Sequence, residues 1–297
     1  MPDDRMPRRI VVAGDVIDDI VVVPRGEIRR DTDTPSTIRF RPGGSASNTA
    51  AWLGHLGAPV DFVGIVGVDD VERHSAQFAA TGVTAHLEAH PDLPTGTIVV
   101  IVDDQQRAML TERGANAEFD GEFVSDELLD AASLLYLTGH TVFGRDDSSS
   151  IERLVGRARD RGVEVAVDPG SAGYLVDRGI QTFQRVFARA TVLLPSLDEG
   201  RLLTGLDDPD EIALALGEAG ALVVMTMGIA GVVIAESGRV SRIEAVTAQV
   251  VDPTGAGDAF AAGFLHEWVR TRDAVAAASA GALVASRSVT VVGGRPA

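Results

Sequence analysis

The sequence predicts an α/β fold in which a mostly parallel sheet is covered by helices on both faces. Three observations carry that prediction. From Ser133 onward, short apolar runs at 134–137, 163–167, 191–194 and 221–226 alternate with helix-like segments, the pattern of parallel strands joined by helical crossovers. Each run stops at Gly139-His140, Asp168-Pro169, Pro195-Ser196 or Met227-Gly228, the strand ends where such sheets bind ligands. Near the end of the chain, Asp252-Pro253-Thr254-Gly255-Ala256-Gly257-Asp258 sets a glycine-rich turn at the mouth of a helical segment. Free N–H groups in a helix's first turn attract an anion.

The elements follow in order. Ile10-Val11-Val12-Ala13 before Gly14-Asp15 reads as a buried strand ending in a turn, and 19–23 continues in β fashion. Residues 25–41 are rich in Arg, Asp, Thr and Pro, and 36–40 alternates like an exposed strand peripheral to the core. After Pro42-Gly43-Gly44, residues 45–57 carry Trp52, Leu53 and Leu56 at helical spacing and end in glycine. A strand at 60–65, a helix at 69–81 and a β-rich stretch at 96–110 precede the regular alternation. Two helices, about 255–270 and 272–288, close the chain. No internal repeat, low-complexity tract or linker interrupts it, so 1–297 reads as one domain with a small appendage.

Composition narrows the function classes. With 297 residues, 45% of them hydrophobic, the chain can bury a full core. Forty-three acidic residues against 26 basic ones give a net charge of −17, which disfavours nucleic acid and anionic membrane as partners. All the basic residues are arginine, so lysine Schiff-base chemistry and a lysine-bearing phosphate loop are excluded. The absence of cysteine removes disulfides, thiol nucleophiles and zinc–thiolate sites, and fits a reducing cytoplasm. The N-terminus has no apolar signal core, and no apolar run reaches membrane-spanning length. A cytoplasmic location is the expectation.

The motifs leave alternatives open when read singly. Asp258 serves equally as a helix cap or as an acceptor for the proton of an attacking hydroxyl. Gly43-Gly44-Ser45-Ala46-Ser47-Asn48 is an ordinary loop-to-helix junction or, through its free N–H groups and the Asn48 amide, a polyol site. Asp19 is a plain edge-strand carboxylate or a site residue just past the first strand. Thr226-Met227-Gly228-Ile229-Ala230-Gly231 is a glycine-rich β connection. Ser196-Leu197-Asp198-Glu199 opens a helix, where acids favour the dipole with or without magnesium. His86 and His90 are four apart, but the strand-like 83–85 and Pro91 argue against a helix offering both to zinc.

Taken together, Gly14 to Asp19, Gly43-Gly44 to Asn48, Gly114-Ala115-Asn116, Thr226 to Gly231 and Asp252 to Asp258 resemble, in order and separation, the ribokinase-like, phosphofructokinase B type family of carbohydrate kinases. That resemblance implies a ribokinase-like three-layer α/β/α core with a small β-sheet lid over about 25–41 and 96–112. It also implies ATP-dependent phosphorylation of a sugar hydroxyl. By position, Asp258 corresponds to the general base, and Gly255, Ala256 and Gly257 to the anion hole. Asp19, Gly43, Gly44, Asn48 and Asn116 correspond to substrate-binding positions, and Ser196, Glu199, Thr226, Gly228 and Gly231 to ATP-binding ones. Glu199 falls in the Mg2+ network, and Asp252 and Thr254 fall where many relatives bind a monovalent cation such as K+.

The chain departs from the family pattern at three places. Ser196 replaces an asparagine, His140 stands where ribokinases carry a substrate-facing glutamate, and Ala282 replaces an adenine-facing asparagine of the penultimate helix. His140 is therefore a candidate substrate contact, and a ribose assignment is not implied. A nucleoside kinase is the alternative, disfavoured because only 5% of residues are aromatic. A non-catalytic sugar sensor ranks last because Asp258 is kept, and a vitamin kinase is disfavoured by the double-glycine site and lid strands. Lid strands with free edges imply a homodimer.

Overall fold

The computed structural model describes residues 9–102, 107–142 and 148–296. The first half of the chain builds β1 (Arg9–Ala13), β2 (Ile17–Pro24), β3 (Ser36–Gly43), α1 (Ser45–His55), β4 (Val60–Gly67), α2 (Val71–Ala80), β5 (Val83–His90), β6 (Gly96–Val102) and β7 (Arg107–Glu112). Next come α3 (Asp126–Ala131), β8 (Ala132–Thr138), α4 (Gly139–Val142), α5 (Ser149–Asp160), β9 (Glu164–Asp168), α6 (Ala172–Arg178), α7 (Ile180–Phe187) and β10 (Val192–Leu193). The last stretch holds α8 (Leu197–Thr204), α9 (Pro209–Leu216), β11 (Leu222–Thr226), β12 (Val232–Glu236), β13 (Arg239–Ile243), α10 (Ala256–Thr271) and α11 (Ala274–Ser288).

Nine strands form one sheet in the order β13-β12-β11-β10-β9-β8-β1-β4-β5. Only β12 runs against the others, pairing antiparallel with β11 and β13. Side chains alternate across a strand, so β1 sends Ile10 and Val12 into one apolar layer, with α1, α10 and α11, and Val11 and Ala13 into the other, with α3 and α5. Both faces are thus covered, which explains the continuous Ile-Val-Val-Ala run that a half-exposed strand would not need. Because β1, β8, β9, β10 and β11 are parallel, their carboxyl ends open on one edge. Asp15, His140, Asp168, Ser196 and Thr226 lie at or just beyond those ends.

A second sheet has the order β3-β2-β6-β7. It begins at Ile17, earlier than the 25–41 stretch that the family resemblance implied, because β2 belongs here and not to the core. A run such as Ile20-Val21-Val22-Val23 suits either sheet, and its sequence carries no mark of which one it joins. Asp19 is consequently on a strand paired on both sides, by β3 and β6, and is not an edge residue. The β-rich 96–110 stretch is two strands, β6 and β7. Also absent from the sequence reading was β13, whose charged pattern hides a strand that only borders β12. Ala282 lies in the last helix, not the penultimate one, packed in the core.

Candidate active site

The two glycine-rich junctions, far apart in sequence, meet. α1 starts at Gly44, whose φ of 94° needs glycine and whose added Cβ would lie 2.7 Å from the Asp15 carbonyl. The Asp15 carboxylate caps that helix, accepting the N–H groups of Ser45 at 2.9 Å and Ala46 at 3.1 Å. The α1 first turn is thereby fixed against β1. α10 starts at Gly255, in the left-handed region at φ 72°, and there an added Cβ would lie 2.5 Å from the Gly294 Cα.

Asp258, in the first turn of α10, faces α1. Its Oδ1 accepts the Ser45 hydroxyl at 2.7 Å and its Oδ2 accepts the Asn48 amide at 3.0 Å. Burial pushes the carboxyl up to about 6, against the lowering effect of those two donors. A carboxylate so placed, ionised near neutral pH and still basic, can take a proton from a hydroxyl. Asp19 lies beside Gly43, with its carboxyl pushed up to about 7 by burial and by the charge of Asp15. Two carboxyl groups of raised affinity for protons thus stand close enough to feel each other's charge.

A residue that the sequence reading missed completes this end. Arg295 reaches in from the C-terminal segment, donating from Nε to Asn48 Oδ1 at 3.2 Å and from Nη2 to Ser47 Oγ at 2.9 Å and to the Gly43 carbonyl at 3.4 Å. Its guanidinium lies 5.3 Å from the centre of the Phe78 ring. Burial lowers its affinity for its proton to about 10, opposed by the facing charges of Asp19, Asp18, Asp15 and Asp258. The segment is held by Trp52, whose Nε1 donates to the Gly294 carbonyl at 2.9 Å. The only signal in the sequence was Gly293-Gly294-Arg295-Pro296, a turn carrying one cation.

The cleft between these groups and the strand ends has a volume of about 260 Å³ and is lined by Ser45, His140, Asp168, Ser196, Glu199, Thr226, Gly255, Ala256, Gly257 and Asp258 among others. Gly257 is exposed at the helix mouth, where its N–H can meet an anion, while the Ala256 N–H donates to the Pro253 carbonyl at 3.3 Å. Ser196 and Glu199 form a capping box on α8: Glu199 Oε2 accepts the Ser196 N–H at 2.8 Å, and Ser196 Oγ accepts the Glu199 N–H at 3.4 Å. Burial raises the Glu199 carboxyl, and burial with the Glu199 charge raises Asp168 well above the carboxylate range. Two acids lining the same cleft are a donor set suited to Mg2+, which takes one or two carboxylates and completes its shell with water and phosphate oxygens.

Other expected site residues have local duties. Asn116 donates to the Val16 carbonyl at 2.7 Å and accepts the Val16 N–H at 2.9 Å, so both ends of its amide fasten the turn between β1 and β2. The His140 ring packs on Tyr174 at 4.8 Å between centroids, and burial lowers its proton affinity. Arg113, also missed, donates to the Tyr174 hydroxyl and to the His140 carbonyl. Gly228 opens a short 3-10 turn and Gly231 closes it beside the end of β11. Asp252 Oδ1 accepts the Thr254 N–H and hydroxyl, and Oδ2 accepts the Gly293 N–H at 3.0 Å. With both oxygens engaged, the Asp252 side chain fits the ordering of a cation site better than direct ligation. His86 bonds Asp61 and His90 accepts the Leu93 N–H, and no cluster of metal-binding side chains occurs among the described residues.

Comparison with known proteins accords with this geometry. Residues 7–297 match the model of the pfkB family carbohydrate kinases. The chain is 25% identical to a ribokinase of Haemophilus influenzae, covering 97% of this chain and 94% of that one, and 28% identical to a 1-phosphofructokinase of Rhodobacter capsulatus, covering 84% and 80%. A solved adenosine kinase from Sinorhizobium meliloti superposes with a TM-score of 0.87 at 24% identity over 98% of this chain and 96% of that one. A solved ribokinase from Thermotoga maritima gives 0.83 at 22% over 98% and 97%. Both structures share the fold. The chain belongs to the pfkB family of carbohydrate kinases.

Proposed function

We propose that this pfkB carbohydrate kinase transfers the γ-phosphoryl group of ATP to a sugar hydroxyl, with Asp258 as the general base. The observation that carries the reading is the meeting of Asp258 with Ser45 and Asn48 at the mouth of α10, beside the exposed Gly257. The acceptor hydroxyl would sit between Asp258 and Asp19, where Asp258 Oδ takes its proton as the oxygen attacks phosphorus. The first-turn N–H groups of Gly255, Ala256 and Gly257 would hold the oxygens of the transferring group, whose charge spreads in the transition state. In-line positioning of this kind supplies most of the rate.

Asp168 and Glu199 are the residues that would hold Mg2+ through water. That ion neutralises phosphate charge when bound. Thr226, Gly228 and Gly231 border the nucleotide end, with Ser196 between the two ends, and a monovalent cation such as K+ would bind near Asp252 and Thr254. A homodimer through the small sheet is supported by Ile38, Phe40 and Leu110, all exposed and, by strand register, on the face opposite Asp19. The small sheet would act as the lid, closing to exclude water.

Asp258→Asn tests the reading. It keeps the side-chain shape, so turnover should fall by at least about 1,000-fold with ATP affinity changed less than about threefold. Near-normal ADP release by the variant refutes the base assignment. The fold should survive. A carboxyl whose folded pKa of about 6 lies above its unfolded value destabilises the native state as pH rises, so Asn should leave Tm at pH 8 unchanged or higher.

A further inference from the structure

The acceptor end described above is acidic, yet the strand that leads away from it is not. β3 ends at Gly43, beside the Asp19 carboxylate, and carries Arg41 and Arg39 at the two alternate positions before it. In the antiparallel register Asp19 pairs Arg41 and Val21 pairs Arg39. Directly opposed residues share a face, so both arginines project on the Asp19 side of the small sheet. The other face carries Ile38 and Phe40. Both arginines are exposed, and neither side chain has an ion pair or hydrogen bond among the described residues. Arg41 forms no ion pair even with Asp19, its cross-strand neighbour. Arg9, Arg73, Arg157 and Arg242 sit on carboxylates, whereas Arg25, Arg30, Arg239 and Arg287 have no carboxylate partner among the described residues, so it is the placement of Arg39 and Arg41 on the Asp19 face that sets them apart.

We infer that Arg41 and Arg39 bind an anionic group, carboxylate or phosphate, on the acceptor at the end remote from the hydroxyl that is phosphorylated. The inference rests on the kinase reading of the same cleft and adds the substrate class to it. Alternate residues of a strand are about 7 Å apart along its axis, so Arg41 stands about one small-sugar length from Gly43 and Arg39 covers the approach. Charge then orients the acceptor. Asp19 and Asp258 repel the anionic end from the reacting position, while the guanidinium pair draws it toward the sheet. Arginine suits the task because its planar fork meets carboxylate or phosphate through two parallel hydrogen bonds.

Titration calorimetry of wild type and of Arg39→Gln/Arg41→Gln with fructose, fructose 6-phosphate, ribose, ribose 5-phosphate and gluconate, beside ADP release for each, tests it. Wild type should bind at least one anionic acceptor at least tenfold more tightly than its neutral parent or a neutral hexose. The double variant should lose that acceptor by on the order of 100-fold while neutral sugars and ATP change less than twofold. The arms separate phosphate from carboxylate. Tighter binding of the neutral sugars overturns the inference, as does an unchanged double variant or a loss that falls on ATP. Anion binding that depends on the arginines without any ADP release upholds it and removes the kinase reading instead. Both side chains are exposed, so the Tm of the variant should match wild type.

Discussion

Ser45→Ala should move the acid limb of kcat/KM upward by about one pH unit. The Ser45 hydroxyl donates to Asp258 Oδ1 at 2.7 Å, and a hydrogen bond to a charged group contributes roughly 1.5–3 kcal/mol. One pH unit corresponds to about 1.4 kcal/mol, and water entering the half-open cleft replaces part of the lost donor, so the low end applies. The sign follows from the role: a base accepts a proton only when ionised. Wild-type activity should therefore fall tenfold per unit below about pH 6, where burial holds the Asp258 carboxyl, and the variant's below about pH 7. Above pH 8 the two profiles should meet on plateaus differing by less than about tenfold. Coupled ADP release from pH 5 to 9, with acceptor well below KM, measures the limb. Asp15 adds negative charge nearby, whereas Asp19 is held at about 7 and is mostly protonated where Asp258 titrates. Asp19→Asn, run in parallel, should therefore leave the limb nearly in place. An acid limb that stays in place in Ser45→Ala, or shifts to lower pH, refutes the reasoning.

Gly255→Ala should cost about 2–4 kcal/mol in urea denaturation, from the left-handed backbone at φ 72° and from a Cβ placed 2.5 Å from the Gly294 Cα; a loss below 1 kcal/mol would mean that the two loops do not need their close approach. Arg295→Gln should raise acceptor KM at least tenfold with kcat within about threefold and shift the acid limb upward, since it removes both the Asn48 and Ser47 contacts and a cation facing Asp258. Arg295→Lys separates the two effects, restoring the limb through charge while KM stays high because one ammonium cannot reproduce the forked contacts. Identical kinetics in wild type and Arg295→Gln would remove Arg295 from the site.

The parts of the molecule legible in the sequence are those whose cause is local. β1, β8, β9 and β11 announce themselves because strands buried on both faces need uninterrupted apolar runs, and α1 and α10 because glycines precede their helical spacing. Sheet membership is not local. Nothing in Asp18-Asp19-Ile20-Val21-Val22 says that β2 leaves the core, since the decision is made by its pairing with β3 and β6. Single-residue contacts are hidden for the same reason: Asn116 sits in a loop motif, and both its amide atoms bond Val16, one hundred residues away.

Arg295 marks the limit most sharply. Its contact with Asn48 spans 247 residues, so no window on the sequence contains both. The contact exists because Gly255 and Gly294 let two backbones touch and because Trp52 anchors the carbonyl of Gly294. The Asp258 carboxylate, the proposed base, which the sequence does reveal, is thus set by residues it does not. Ser45 and Asn48 fix the orientation of Asp258, Arg295 fixes Asn48, and the amide orientation follows, because only an Asn48 whose oxygen faces the guanidinium presents its N–H2 to Asp258. A motif names the group that reacts, whereas its proton affinity and aim come from the long-range contacts that close around it.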